Sequence, residues 1–195
     1  MAGAWLCAGC EGKYLVGAVP EVLPSEVLPA VVCLLDFGAG PVRELIHSLK
    51  YDGIREAAGV LVGLAGKCVS LDEARGYYGP EAILVPVPTS KAKLKMRGYN
   101  QAQLLAEEIA AWLGVEVKEG LVAHKRKQSQ VGKGLAERSH LEGRFSVVKD
   151  GLPKDRPLVL VDDVYTTGST LRACAEALKR DGYRVAGGLV LAHKR

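Results

Sequence analysis

One stretch of the chain predicts the fold more directly than any other: Leu158-Val159-Leu160-Val161-Asp162-Asp163-Val164-Tyr165-Thr166-Thr167-Gly168-Ser169-Thr170. Its first four residues are aliphatic, which is typical of a strand buried on both faces of a parallel sheet. Two carboxylates, Asp162 and Asp163, follow directly. Open α/β sheets bind ligands at the carboxyl ends of their strands, so we expect both carboxylates to face a ligand.

The next five residues have the composition of a phosphate-binding turn. They are Thr166, Thr167, Gly168, Ser169 and Thr170. The free N–H groups and the dipole at the start of the following helix favour a phosphate, as do the hydroxyls. The glycine allows a close approach of the ligand and unusual backbone angles. Helix capping would explain the serine but not the two acids before the turn. The whole stretch therefore predicts a site for a sugar phosphate.

Strand and helix patterns alternate along the rest of the chain. Strands are expected at residues 30–35, 82–85, 158–161 and 185–191, and helices at 41–49, 54–68, 100–113 and 171–179. This alternation predicts an α/β fold with a mainly parallel, twisted sheet flanked by helices. Residues 1–29 are rich in proline, and we expect them to form a small irregular N-terminal appendage to a domain at 30–195.

The composition, with 48% hydrophobic and 25% charged residues, is that of an ordinary globular protein. It excludes collagen-like and disordered classes. The most apolar early segment, residues 14–35, contains three prolines and two glutamates, and no basic residue precedes Lys13. We therefore expect no membrane-spanning helix and no signal peptide, and a cytoplasmic location.

The formal net charge of +4 is small, but two short runs contribute +4 each, so the rest of the chain sums to −4. The first contains Lys91, Lys93, Lys95 and Arg97, in a segment, 89–98, that we expect to be a loop. The second contains Lys125, Arg126, Lys127 and Lys133. Two interpretations remain open: solvated loops, or two loops that face one polyanionic ligand.

The five cysteines do not form a recognisable framework. Cys7 and Cys10 have the C-x-x-C spacing of a zinc knuckle, but a closed zinc site needs four ligands and no second pair follows. We therefore expect no bound zinc. Disulfides are not expected in a chain of this size and compartment.

Residues 158–170 resemble the signature of type I phosphoribosyltransferases, which bind 5-phosphoribosyl-1-pyrophosphate (PRPP). That signature is an aliphatic strand, two acids and then T-T/S-G-x-T. Four further segments follow the order found in the ComF family of competence-associated, phosphoribosyltransferase-like proteins; they are residues 49–53, 85–88, 97–102 and 130–145. Members of that family usually carry an N-terminal zinc finger with four cysteines, whereas this chain has two cysteines there.

The resemblance implies roles for individual residues. Asp162 and Asp163 would bind the ribose 2- and 3-hydroxyls, and the turn 166–170 would bind the 5-phosphate. The pyrophosphate would be met by the loop 86–97, including Pro88 and Arg97, and by Lys50, and the two aspartates and Arg97 would be the catalytic residues. If the second basic run also faces the pyrophosphate, Lys125 and Arg126 would contact it as well. The segment 124–140 would form a mobile loop over the site, and Mg²⁺ would bind through the substrate, with no protein ligand assigned.

The implied reaction is displacement of pyrophosphate from ribose C1 by a nitrogen nucleophile whose identity the sequence does not indicate. Three functions are compatible with these patterns. They are an active phosphoribosyltransferase, a non-catalytic sensor of PRPP or a nucleoside monophosphate, and a factor that acts with single-stranded DNA in DNA uptake. An oligomer is also compatible with the sequence.

Overall fold

A six-stranded sheet forms the centre of the fold in the computed structural model, which describes residues 20–124, 143–148 and 151–194. The strands are β1 (Glu21–Leu23), β2 (Val31–Asp36), β3 (Ile83–Pro86), β4 (Glu116–Val117), β5 (Leu121–Ala123), β6 (Phe145–Val147), β7 (Leu158–Tyr165) and β8 (Val185–His193). The large sheet has the order β1-β2-β8-β7-β3-β4, and β5 pairs with β6 in a separate antiparallel ribbon. Only β1 runs antiparallel to its neighbour in the large sheet. The predicted α/β fold with a mainly parallel sheet is confirmed.

Helices cover both faces of this sheet. They are α1 (Gly40–His47), α2 (Ala57–Cys68), α3 (Leu71–Gly76), α4 (Lys91–Arg97), α5 (Gln101–Leu113) and α6 (Ser169–Arg180), and a π-helical turn, Ser48–Asp52, extends α1. Strand β7 alternates between two apolar cores: Val159 and Val161 pack in the core under α1, α2 and α5, and the leucines at 158 and 160 pack in the core under α6. The strand is thus buried on both faces, as its aliphatic run predicts. No helix within the described residues is long and apolar enough to span a membrane.

Strand β7 is longer than its aliphatic run and carries both aspartates. Its pairing with β3 ends at Pro86 opposite Val161, where the Val87 N–H also donates to the Val161 carbonyl at 2.9 Å. Beyond that point β7 continues to pair with β8 alone, as far as Tyr165 opposite His193. Asp162 is therefore the first residue of β7 without a partner in β3, and the end of the sheet is open beside it.

Three segments differ from the sequence-based expectations. Residues 91–97 form α4 rather than a loop, because the Ser90 hydroxyl accepts a hydrogen bond from the Lys93 N–H at the start and Gly98, at φ +81°, ends the helix. No residue of α4 is buried, so it lacks the apolar periodicity by which helices are recognised. Helix α3 was not expected at all. Strand β1 lies within a region expected to be irregular, and the division at residue 29 stays a prediction.

Candidate functional site

A cavity of about 530 Å³ opens at the carboxyl ends of β3 and β7. Asp162 and Asp163 contribute the carboxylates of its wall, together with a larger set of basic residues: Arg43, Lys50, Lys93, Arg97, Arg144 and Lys194. Since the described cations outnumber the two aspartates, the cavity favours an anionic ligand.

The two aspartates are adjacent in the chain but have different surroundings. Asp163 is 9% exposed, and its Oδ1 lies 2.9 Å from Lys50 Nζ. The Asp162 carboxylate accepts a hydrogen bond of 2.9 Å from the Asp163 N–H. Burial, together with the neighbouring Asp163 charge, raises the pKa of Asp162 to about 7, although Lys50 and Lys93 oppose the rise. One carboxylate is therefore held by an ion pair, while the other readily takes up a proton.

Lys50 reaches Asp163 from the π-helical turn at the end of α1. Turns of this kind are rare and occur often at functional sites. The same turn brings Tyr51 to the cavity wall, where its side chain is 63% exposed and its ring centre lies 5.2 Å from the Arg97 guanidinium carbon. Gly53, at φ +74°, ends the turn. The segment thus supplies a cation and an accessible aromatic ring to one cavity.

The turn after β7 has the geometry of an anion site. Gly168, at φ +69°, caps the 12-residue helix α6, whose first turn contains no acidic residue. A Cβ at this glycine would collide with the ring of Tyr165. Thr166 and Thr170 form part of the cavity wall, whereas the Thr167 and Ser169 hydroxyls bond to each other at 3.1 Å. Of the five residues predicted to hold a phosphate, two threonines therefore line the cavity, and the others build the turn between them.

Helix α4 divides the first basic run between two directions. Lys93 and Arg97, one helical turn apart, line the cavity, while Lys91 and Lys95 are exposed and take no part in its wall. Pro88, also predicted from the sequence, lies in the wall just before this helix. Two cations of the first run thus line the cavity and two face solvent; that both runs face one polyanionic ligand stays a prediction, because the second run lies outside the described residues.

The segment after Arg97 fastens α5 to the sheet. Asn100 donates from Nδ2 to the Val87 carbonyl at 3.0 Å, and its Oδ1 accepts from the Ala102 N–H at 3.2 Å. The buried Tyr99 hydroxyl donates to the Leu49 carbonyl at 2.7 Å. These bonds join the end of β3, the start of α5 and the π-helical turn, so they fix three parts of the cavity wall.

Some predicted site residues lie outside the described part of the chain: Lys125 and Arg126, the rest of the expected loop up to 140, and Cys7 and Cys10. Their assignments stay predictions. Conversely, sequence reasoning missed Arg43, Arg144 and Lys194. The three lie far from one another in sequence, and no shared local pattern marks them; only the fold places all three in one wall.

The chain is similar to known proteins in structure and in sequence. Among solved structures, adenine phosphoribosyltransferase from Saccharomyces cerevisiae aligns with a TM-score of 0.43 and 14% identity, over 96% of this chain and 90% of that one. A family profile described as "Phosphoribosyl transferase domain" matches residues 94–195, more than half of the chain.

Several curated proteins are similar in sequence. Competence protein F of Haemophilus influenzae is 39% identical over 53% of this chain and 46% of its own length. Competence protein ComFC of Bacillus subtilis is 38% identical over 72% of this chain and 55% of its own length. DNA utilization protein YhgH of Escherichia coli K12 is 31% identical over 78% of this chain and 66% of its own length. The matched region therefore spans about half to two thirds of each relative. From the profile and these relatives, the chain belongs to the ComF family of phosphoribosyltransferase-like proteins.

Proposed function

We propose that the cavity binds PRPP and that the protein transfers its ribose 5-phosphate to a nitrogen acceptor in the cytoplasm. One observation carries the proposal: an acid pair and a phosphate-type turn adjoin a cavity that is also lined by Lys93 and Arg97. Its volume of about 530 Å³ is ample for a small-molecule ligand. A sugar with a phosphate at one end and a diphosphate at the other matches these three features.

Each part of PRPP has a matching group in the cavity. The 5-phosphate would bind at the N-terminus of α6, with the Thr166 and Thr170 hydroxyls beside it. The ribose hydroxyls would donate to Asp162 and Asp163, since hydrogen bonds to a carboxylate are among the stronger ones. The diphosphate would lie near Arg97, the cation best suited to a bidentate contact with phosphate.

The reaction breaks the bond between ribose C1 and a pyrophosphate oxygen, and the electron pair leaves with the pyrophosphate. A nitrogen lone pair of the acceptor forms the new bond to C1, and the proton of that nitrogen passes to solvent. Positive charge develops at C1 and negative charge on the leaving group, so the cavity cations would stabilise the transition state. No nucleophilic side chain is required.

Magnesium fits this donor set. Mg²⁺ prefers hard oxygen ligands from substrate phosphates, water and one or two carboxylates. Asp162 has no ion pair as close as the 2.9 Å pair of Asp163, so its carboxylate would be the one available. When bound through the substrate, the ion would supply neutralising charge to the diphosphate.

A second candidate is the binding of single-stranded DNA, and the outer side of α4 favours it. Lys91 and Lys95 project away from the cavity, and Leu94 and Met96 beside them are 44% and 69% exposed. Exposed cations suit the backbone phosphates of a flexible polyanion. The names of two relatives, a competence protein and a DNA utilization protein, are consistent with this role.

Variants on the two sides of α4 test the two candidates. Calorimetry with PRPP and Mg²⁺ should show that Lys93→Ala and Arg97→Ala each lose roughly tenfold or more in affinity, the size expected for charge-assisted contacts. Lys95→Ala is the matched control, because it removes a cation from the same helix outside the cavity. Pyrophosphate release in the presence of nitrogen bases separates an enzyme from a sensor.

The opposite pattern would contradict the PRPP site. Unchanged PRPP affinity in Arg97→Ala, or equal losses in Arg97→Ala and Lys95→Ala, would remove the diphosphate role. For single-stranded DNA, the Lys91→Ala/Lys95→Ala variant should bind more weakly, with a shallower dependence of affinity on salt. An unchanged salt dependence would exclude the outer side of α4 as a DNA contact.

A further inference from the structure

Gln101 is a buried residue with an unused hydrogen-bond donor. Its side chain is 4% exposed, and the amide nitrogen Nε2 has no hydrogen-bond partner. Within the described residues, and apart from tyrosines and cysteines, Gln101 and Asp163 are the only buried polar or charged side chains, and both belong to the wall of the same cavity. Asp163 is paired with Lys50, whereas the Gln101 amide nitrogen is left without a partner. Buried polar groups are almost always paired, so this exception needs an explanation.

The local structure keeps Gln101 in this position. It is the first residue of α5, between the capping residue Asn100, which is bonded to the end of β3, and Ala102, which packs in the core under α6. A glutamine with a purely structural role would use its amide to hold a neighbouring group. The Gln101 amide nitrogen holds no neighbouring group, so its position is better explained by a ligand in the cavity that accepts its hydrogen bond.

A second unpaired donor lies four residues earlier in the sequence, at the end of α4. Arg97 Nε is also buried without a hydrogen-bond partner, and Arg97 lines the same cavity. Both unpaired atoms are N–H donors, so a shared partner must be an acceptor. Because Lys93 and Arg97 make this part of the wall cationic, an anionic oxygen is favoured over a neutral carbonyl.

We infer that Gln101 is a specificity-determining residue that donates its amide N–H to a diphosphate oxygen of PRPP, beside Arg97. The inference rests on the proposed function and adds to it. The Gln101 contact would be made to the diphosphate and not to the 5-phosphate, which would lie on the turn before α6. The residue would therefore help to distinguish PRPP from ribose 5-phosphate.

The test compares three probes on two variants. Gln101→Leu removes the donor with little change in size, and Gln101→Glu keeps the shape but replaces the donor with a negative charge. In calorimetry with Mg²⁺, Gln101→Leu should weaken PRPP and pyrophosphate by about tenfold or more, as expected for a hydrogen bond to a charged group, and leave ribose 5-phosphate unchanged. Gln101→Glu should weaken the first two further, because like charges repel.

A stability measurement separates this role from a structural one. Gln101→Leu removes a buried donor without a partner, so its unfolding temperature without added ligand should equal or exceed that of the wild type. A structural glutamine would give a lower value. Gln103→Leu is the control. That half-buried side chain also has an unpaired atom, Oε1, but its Nε2 donates to Glu107 at 2.7 Å and it lies outside the cavity wall, so the affinity for all three probes should stay unchanged.

Two results overturn the inference while the proposed function stands: wild type binds PRPP, and Gln101→Leu either binds it equally well or loses ribose 5-phosphate to the same extent. If the wild type binds no PRPP, the proposed function fails and the inference fails with it. Should Gln101→Leu not fold, Gln101→Met, which has an unbranched side chain of similar length, takes its place in the same titrations.

Discussion

Replacing Asp162 with asparagine should stabilise the protein at pH 8. An aspartate whose pKa is higher in the folded than in the unfolded chain takes up a proton on folding. Stability therefore falls as the pH rises through the interval between the two values, here from 3.8 to about 7. Above that interval the carboxylate is ionised in a buried place, and the penalty has reached its full size.

The magnitude follows from the same shift. A rise from 3.8 to about 7 corresponds to about 4 kcal/mol. Asparagine avoids this penalty and keeps an oxygen to accept from the Asp163 N–H, but its amide nitrogen needs a partner of its own, which can cost about 1–3 kcal/mol. We therefore expect Asp162→Asn to raise the free energy of unfolding by about 1–3 kcal/mol at pH 8. For a chain of this length, each kcal/mol raises the Tm by roughly 2–4 °C.

Thermal unfolding without ligand at pH 8 and pH 5 measures this effect. The gain in stability from Asp162→Asn should be clearly smaller at pH 5. At that pH, below the folded-state pKa of about 7, the wild-type carboxyl is protonated in the folded chain and most of the penalty for an ionised carboxylate is absent. Asp155→Asn is the matched control, since Asp155 is exposed. A destabilised Asp162→Asn variant at pH 8, or a gain of the same size at both pH values, would refute the reasoning.

Two further predictions concern the same end of the sheet. Gly168→Ala should destabilise the chain by about 1–3 kcal/mol, because the φ of +69° is strained for any other residue and the new Cβ meets Tyr165; urea unfolding measures the loss, and a neutral result would mean that the turn rearranges freely. Lys50→Met should cost about 1–3 kcal/mol in the wild type but much less in an Asp163→Asn background, because removing one partner of a largely buried ion pair leaves the other unpaired. A double-mutant cycle gives the coupling, and a value near zero would show that the pair contributes nothing to stability.

The sheet could be predicted because its signals are local. The four aliphatic residues before Asp162 and the hydroxyl-rich turn after Asp163 fix a buried strand, its carboxyl end and the start of a helix within a single segment. The predicted strands and longer helices agree with the structure to within a few residues. Of the three segments that differ, α4 has no buried face and so no pattern to detect, and α3 and β1 are short.

The cavity wall could be predicted only in part, because most of it is not local. Family resemblance predicted that Arg97 and Lys50 lie near a diphosphate. It did not predict the contact between Lys50 and Asp163, because that contact depends on a π-helical turn for which the sequence has no recognisable pattern. The burial of Gln101 likewise depends on how Asn100 fastens α5 to β3. Such features arise from the meeting of distant segments.

The position of β8 has a consequence for the order of folding. This strand lies between β2 and β7 although it follows both along the chain. The pairings of β2 with β8 and of β7 with β8 therefore cannot form until β8 has been synthesised. Until then β2 and β7 each expose an unpaired apolar edge, which is the kind of surface that aggregates or engages chaperones. Lys194 directly follows β8 and enters the cavity wall in the same step. A nascent or truncated chain that ends before β8 would therefore lack the strand that joins β2 to β7 and would have an incomplete cavity wall. If the cavity binds the proposed ligand, binding would appear only after β8 is in place.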